Sequence, residues 1–187
     1  MRLKMRLITF IYFIINLSAF EFAASQTITE NKALGKIHDR IMDDYPALTH
    51  VSSDELMALT DTQDIIILDV REETEYTVSH IDGAVRVDPN ISNDEFISRY
   101  GDDVRGKTVV LYCSVGRRSS KLGNRLSADL KASGAVNVSN LEGGIFYWHN
   151  QQLPLRRNET TTQKVHPYNR WWSRLIARKG EIAYAPE

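Results

Sequence analysis

Apolar positions along this chain follow two alternating rhythms. Ile65-Ile66-Ile67-Leu68 is an unbroken, mostly β-branched run, the pattern of a strand buried on both faces of a parallel sheet. Ala84 to Val87, Val109 to Tyr112 and Val136 to Leu141 are the other strand candidates, and His50-Val51 makes a shorter one. Between these runs the spacing changes to three and four. Leu34, Ile37, Ile41 and Tyr45 predict a helix from about Ile28 to Tyr45, stopped by Pro46. Ser52 or Ser53 caps a helix through Leu59, with Leu56 and Leu59 inward and Asp54 and Glu55 in its first turn. Helices are also predicted over Asp94 to Tyr100 and Ser119 to Ser133. The second carries Leu122, Leu126 and Leu130 on one face and ends at Gly134. Strands alternating with helices specify an α/β domain around a parallel sheet.

Both ends depart from this rhythm. Arg2, Lys4 and Arg6 precede an apolar stretch from Leu7 to Phe20, followed by the small residues Ala23-Ala24-Ser25. That is the layout of an export signal peptide over residues 1–25, with a mature start near Gln26. An uncleaved anchor is the competing reading, but the 14-residue stretch is shorter than the ~20 a membrane span needs. Export implies an extracytoplasmic location, the periplasm in a bacterium with two membranes. The expected division is a leader (1–25), an N-terminal helical segment (26–48), the α/β domain (49–154), and a linker with a C-terminal extension (155–187). In that extension Arg156 to Gln163 reads as a polar linker. Trp171, Trp172, Leu175 and Ile176 form an apolar patch within a basic segment. The patch has three readings: a lid over the site, a surface for a protein partner, or an extra helix sealing a sheet face, which is the reading preferred here.

Composition narrows the function. With 187 residues, 42% of them hydrophobic and 25% charged, one domain with a proper core is expected. The net charge is −1 and the basic residues are interspersed with acidic ones, so no nucleic-acid partner is expected. Losing the leader would remove three basic residues and Glu21, leaving −3. One cysteine rules out an intrachain disulfide, and His38, His50, His80, His149 and His166 are scattered. No metal and no cofactor are expected.

That one cysteine ends the run Thr108 to Tyr112 and opens Cys113-Ser114-Val115-Gly116-Arg117-Arg118-Ser119 before a helix. In an open parallel sheet, ligands bind beyond the carboxyl ends of the strands. Loop N–H groups, the helix N-terminus and two guanidinium groups would all favour a thiolate and hold an anion beside it. Cys113 is therefore read as a nucleophile rather than as an inert buried thiol. Gly116 permits a loop conformation that a Cβ would obstruct.

Three motifs in order resemble those of rhodanese domains. They are Asp69-Val70-Arg71 with Glu75-Tyr76 and His80-Ile81-Asp82-Gly83-Ala84, then the Cys113 loop, then Leu141-Glu142-Gly143-Gly144-Ile145 with Trp148. They span about Val51 to Pro154, a full single rhodanese domain. Ser79 and Asp82 depart from the family's usual Gly and Pro. The resemblance implies a three-layer α/β/α domain with a five-stranded parallel sheet, and sulfurtransferase chemistry of the thiosulfate type. Cys113 would take a sulfane sulfur as a persulfide and pass it to cyanide or a thiol. Ser114, Val115, Gly116, Arg117, Arg118 and Ser119 would bind the donor, with Arg118 and Arg117 on its sulfonate oxygens.

Asp69, Arg71, Glu75 and His80 are read as structural support. An Arg71–Glu75 ion pair is expected from helical spacing, Asp69 is expected to accept loop N–H groups, and His80 to fix a turn. Trp148 is expected in the core. Related phosphatases and arsenate reductases have a longer loop; here four residues, Ser114 to Arg117, separate Cys113 from Arg118, which suits sulfur better than a tetrahedral oxyanion. The alternatives to an enzyme of sulfur transfer are a non-enzymatic persulfide carrier docking its partner through Trp171 and Trp172, and a phosphatase or arsenate reductase.

Overall fold

The β-branched runs become the strands of one sheet. The computed structural model describes residue 28, residues 31–61 and residues 64–186; the expected leader, residues 1–25, lies outside them. Strands β1 (Thr49–Val51), β2 (Ile65–Asp69), β3 (Val85–Arg86), β4 (Thr108–Tyr112) and β5 (Asn137–Leu141) form a five-stranded sheet in the order β1-β5-β4-β2-β3. All neighbours are parallel, with Asp69 opposite Tyr112 and Val51 opposite Leu141. The carboxyl ends therefore share one edge, and Cys113 leaves it from the central strand.

Side-chain alternation along the strands divides the core in two. Ile67, Val110 and Tyr112 face one layer, with Leu34, Leu56, Ile145, Phe146 and Trp148. Leu68, Val109, Leu111 and Cys113 face the other, with Phe96, Leu122, Leu126 and Leu130. Helices on both faces satisfy the two apolar surfaces that the Ile65–Leu68 run announces.

The helices begin where the capping residues stand. Helix α1 (Lys32–Asp44) starts at Asn31, whose side chain accepts the Leu34 N–H at 3.2 Å. Helix α2 (Ser53–Thr60) has a capping box made by Ser52 and Glu55. A short helix, α3 (Glu73–Val78), follows β2, and α4 (Asn93–Tyr100) is capped by Ser92. Helix α5 (Arg117–Ala132) begins four residues after Cys113, and α6 (Gly144–Asn150) is buried along nearly its whole length.

The C-terminal segment differs from expectation. Residues 156–163 are not a linker: β6 (Leu155–Arg157) and β7 (Thr160–Thr162) form an antiparallel hairpin. Leu155, Val165 and Ile176 are fully buried in the same core as Ile145 and Trp148. Arg178 ties the segment down, donating to the His149 carbonyl at 2.7 Å and lying 2.8 Å from Glu181. Among the described residues, no helix is long and apolar enough to cross a membrane.

Candidate active site

Cys113 follows β4 directly and its loop leads into α5. The oxygen atoms of this loop are bound from behind. Ile145 N–H donates to the Cys113 carbonyl at 2.9 Å, Phe146 N–H to the Ser114 carbonyl at 3.0 Å, and Ser120 N–H to the Gly116 carbonyl at 2.9 Å. The N–H groups of Ser114 to Ser119 meet no acceptor among the described residues. With these three carbonyls occupied and its donors free, the loop is an anion-receiving nest at a helix N-terminus.

Two glycines make this geometry accessible. Gly116 has φ 95°, and a Cβ there would come 3.0 Å from the Asn140 amide nitrogen. At Gly144 a Cβ would collide with the Cys113 carbonyl, so α6 could not approach closely enough to bind it.

Cys113 is only 1% exposed and packs in the α5-side core, yet it also lines a cavity of about 220 Å³. Ser114, Val115, Arg117 and Arg118 form the floor and sides, and Tyr168 and Trp172 cover it from the C-terminal segment. Gly116 and Ser119 do not line the cavity. Ser119 is fully buried, its hydroxyl 2.6 Å from Asn140 Oδ1 and 3.1 Å from the Gly116 carbonyl, so it holds the loop from behind.

Electrostatics differ from the expected pairing. Arg71 does not pair with Glu75. Its guanidinium makes a bidentate ion pair with Asp69 at 2.8 and 2.5 Å and donates to the Ser79 carbonyl at 2.6 Å. The reason is local: Arg71 precedes the first turn of α3, so helical spacing does not apply. Asp69 accepts from Arg71 and from the Tyr112 hydroxyl (2.6 Å) rather than from loop N–H groups, and Tyr112 in turn accepts the Ile81 N–H at 3.1 Å. Burial, then the Asp69 charge, push the Tyr112 hydroxyl well above its usual range, so it stays a donor.

Glu75 reaches the Cys113 loop instead. It accepts from Arg118 at 2.7 and 2.8 Å and from the Ser114 hydroxyl at 2.8 Å. Burial would raise the Glu75 carboxyl, but its bonds to Arg118 and the nearby Arg71 hold it below the usual carboxylate range. Burial opposes the charge on Arg118; Glu75 and the Cys113 sulfur outweigh it and raise its pKa. Arg117 is exposed. His80 lies away from the cavity. Its backbone exchanges hydrogen bonds with Arg156 (2.9 and 2.8 Å) and its ring stacks on Tyr76, so it anchors the β6–β7 hairpin.

Trp171 and Trp172 part company. Trp171 is 68% exposed under the Arg174 guanidinium, whereas Trp172 turns to the cavity and begins a short 3-10 helix (Trp172–Leu175). Trp172 takes the lid placement, while Leu175 and Ile176 pack against the core on one sheet face, from a 3-10 rather than an α-helix.

Four participants carried no motif. Asn140 braces Gly116 and Ser119. Its polar side chain within a buried strand was the available signal. His50 stands behind Asn140, whose amide lies 3.4 Å from His50 Nδ1. Tyr168 sits at φ 65°, its N–H held by His166 Nδ1 at 3.0 Å; the His166-Pro167-Tyr168-Asn169 run has turn composition.

Burial and the neighbouring His38 lower His50 to about 4. A histidine depressed in the fold contributes stability above its unfolded value and loses it as pH falls. Burial lowers His149 and His166 too, in the same sense. The thermal midpoint is expected to drop by roughly 2–6 °C between pH 6.5 and pH 4, and His50→Asn to lessen that drop. Calorimetry across this range checks it; a midpoint rising on acidification would contradict it.

A family model described as "Rhodanese-like domain" matches residues 52–151. The tRNA uridine(34) hydroxylase of Pectobacterium atrosepticum is 31% identical over 113 residues, covering 57% of this chain and 31% of that protein. The enzyme of the same name from Listeria welshimeri is 38% identical over 87 residues, 44% of this chain and 25% of that protein. This chain therefore spans about a third of such relatives or less. A thiosulfate sulfurtransferase structure from Pseudomonas aeruginosa superposes with a TM-score of 0.51 at 20% identity, over 80% of this chain and 27% of that one. At that identity the likeness shows the fold.

Proposed function

Because this chain belongs to the rhodanese-like family, we propose that it is a sulfurtransferase working through a Cys113 persulfide. One observation carries the reading: the chain's one cysteine lines a cavity beside a loop whose N–H groups are left free. In the first step Cys113 Sγ attacks the outer sulfur of thiosulfate or a similar donor. The new Sγ–S bond forms as the donor's S–S bond breaks, and sulfite leaves with the electron pair. In the second step a thiophile, cyanide or a thiolate, attacks the outer persulfide sulfur and returns the Cys113 thiolate. This is ping-pong covalent catalysis.

The loop N–H groups stabilise the negative sulfur in both states, and Arg117 faces the donor's oxygens. Arg118 acts chiefly as a girder, since Glu75 and Ser114 occupy its donors. The four residues between Cys113 and Arg118 also argue against a phosphatase, whose tetrahedral oxyanion needs a wider loop. The hydroxylase activity named for the relatives belongs to proteins of which the matched segment makes up less than a third.

Intact-mass measurement after exposure to thiosulfate tests the proposal. The protein is expected to gain one sulfur atom, lost again on adding cyanide with thiocyanate released. An unchanged mass with every sulfane donor would overturn it. Loading without turnover would mark a carrier instead of an enzyme.

A further inference from the structure

One side of the cavity over Cys113 is lined by residues that lie outside the segment matched by the family model. Tyr168 and Trp172 come from the C-terminal segment, beyond residue 151. Trp172 is half-buried against the core cluster containing Ile176 and Val165, so its indole is held in place. The backbone around it is fixed by Asn169, whose side-chain oxygen accepts the N–H groups of Trp171 and Trp172 at 2.9 and 3.1 Å. Tyr168 stands in the left-handed region, which a bulky residue rarely adopts, and its ring lies 4.9 Å from the Arg118 guanidinium carbon. A conformation that unfavourable persists where surrounding structure enforces it, and such residues cluster at ligand clamps.

Charge within the cavity points the same way. Thiosulfate is a compact dianion and needs cations to replace its water. Arg118 is neutralised by the buried Glu75 carboxylate, its other donor bond goes to Ser114, and Tyr168 lies against it. Arg117 is left as the one lining cation without an ion-pair partner among the described residues. The remaining walls, Val115, Tyr168 and Trp172, are apolar or aromatic. A site with one free cation and an aromatic roof favours a monoanion carrying a flat apolar group.

Resting on the sulfur-transfer reading above, we propose that Tyr168 and Trp172 are specificity-determining residues that select organic sulfane donors with a ring-sized apolar group over inorganic thiosulfate. Benzenethiosulfonate is the model donor. Cys113 Sγ attacks its outer sulfur, the S–S bond breaks, and benzenesulfinate leaves with the electron pair while its ring lies under the roof. The volume, about 220 Å³, is below the ~300–1,000 Å³ of pockets that take drug-sized ligands, so one ring is the limit.

The test compares kcat/KM for benzenethiosulfonate and thiosulfate, with cyanide as acceptor, in the whole chain and in Tyr168→Gly and Trp172→Leu. Glycine suits the backbone at 168, and leucine keeps apolar volume at 172, so thermal melting should show both variants folded. The parent is expected to favour the aryl donor by about 10-fold or more, and each variant to shrink that ratio about 3- to 10-fold. A parent preferring thiosulfate, or a ratio unchanged in both variants, overturns the selection. Failure of both donors to load sulfur onto Cys113 would instead strike down the sulfur-transfer reading itself.

Discussion

Cys113→Ser is expected to abolish sulfur transfer while leaving the fold intact. Serine is close in size to cysteine and would fill the same space between the α5-side core and the cavity. An alkoxide is much harder to form than a thiolate, and a hydroxyl cannot store sulfur as a persulfide. The reaction therefore loses its covalent intermediate, and kcat/KM should fall by on the order of 10⁴-fold or more. Thiocyanate release with cyanide as acceptor measures this, and intact mass should show no added sulfur. Residual turnover within about tenfold of the parent would mean that the cavity, rather than the thiol, performs the chemistry. A thermal midpoint within a few degrees separates lost chemistry from lost structure.

The largest effect on stability is expected at Asp69→Asn. Arg71 is fully buried with a side-chain exposure of 0%, and so is its partner. Burial works against the Arg71 charge; the Asp69 carboxylate overcomes that and holds the guanidinium ionised. Asparagine keeps the shape but removes the charge, leaving a cation inside the protein. Breaking a buried pair in this way costs about 3–5 kcal/mol, a large part of the ~5–15 kcal/mol that holds a domain together. The midpoint should drop by roughly 6–20 °C. Replacing both Asp69 and Arg71 with apolar residues should recover much of that loss, since no unpaired charge remains. Equal midpoints for Asp69→Asn and the parent would contradict this account.

The parts of the fold readable in advance were those where one physical signal dominates. The Ile65–Leu68 run and Val109 to Tyr112 fall on β2 and β4, because double-sided burial leaves no polar alternation to misread. Leu122, Leu126 and Leu130 lie along one buried stripe of α5. Helix α6 escaped notice because Gly144 to His149 are all buried, so no polar face gave it a period. Helix α3 has six residues, too few for periodicity to register. The 156–163 stretch looked like a linker because its residues are polar; the β-branched Thr160, Thr161 and Thr162 were the overlooked strand signal.

For the site, the Cys113 loop was legible because strand, thiol, glycine and helix are consecutive. Its partners were not, because they arrive from distant elements. Glu75 reaches Arg118 across 43 positions, and the i,i+4 relation to Arg71 pointed to the wrong cation. Ser119 looked like a ligand-binding hydroxyl, and only the position of Asn140 shows that it faces inward. Of the adjacent indoles Trp171 and Trp172, one covers the sulfur and the other meets solvent, a distinction that a turn imposes and composition cannot reveal.

Tyr168 and Trp172 lie more than fifty positions after Cys113 in the chain. During synthesis, every other wall around the sulfur emerges before them. A nascent polypeptide at that stage would thus present an unroofed, oxidation-prone thiol, and its cover arrives only once the segment carrying Tyr168 and Trp172 has been made.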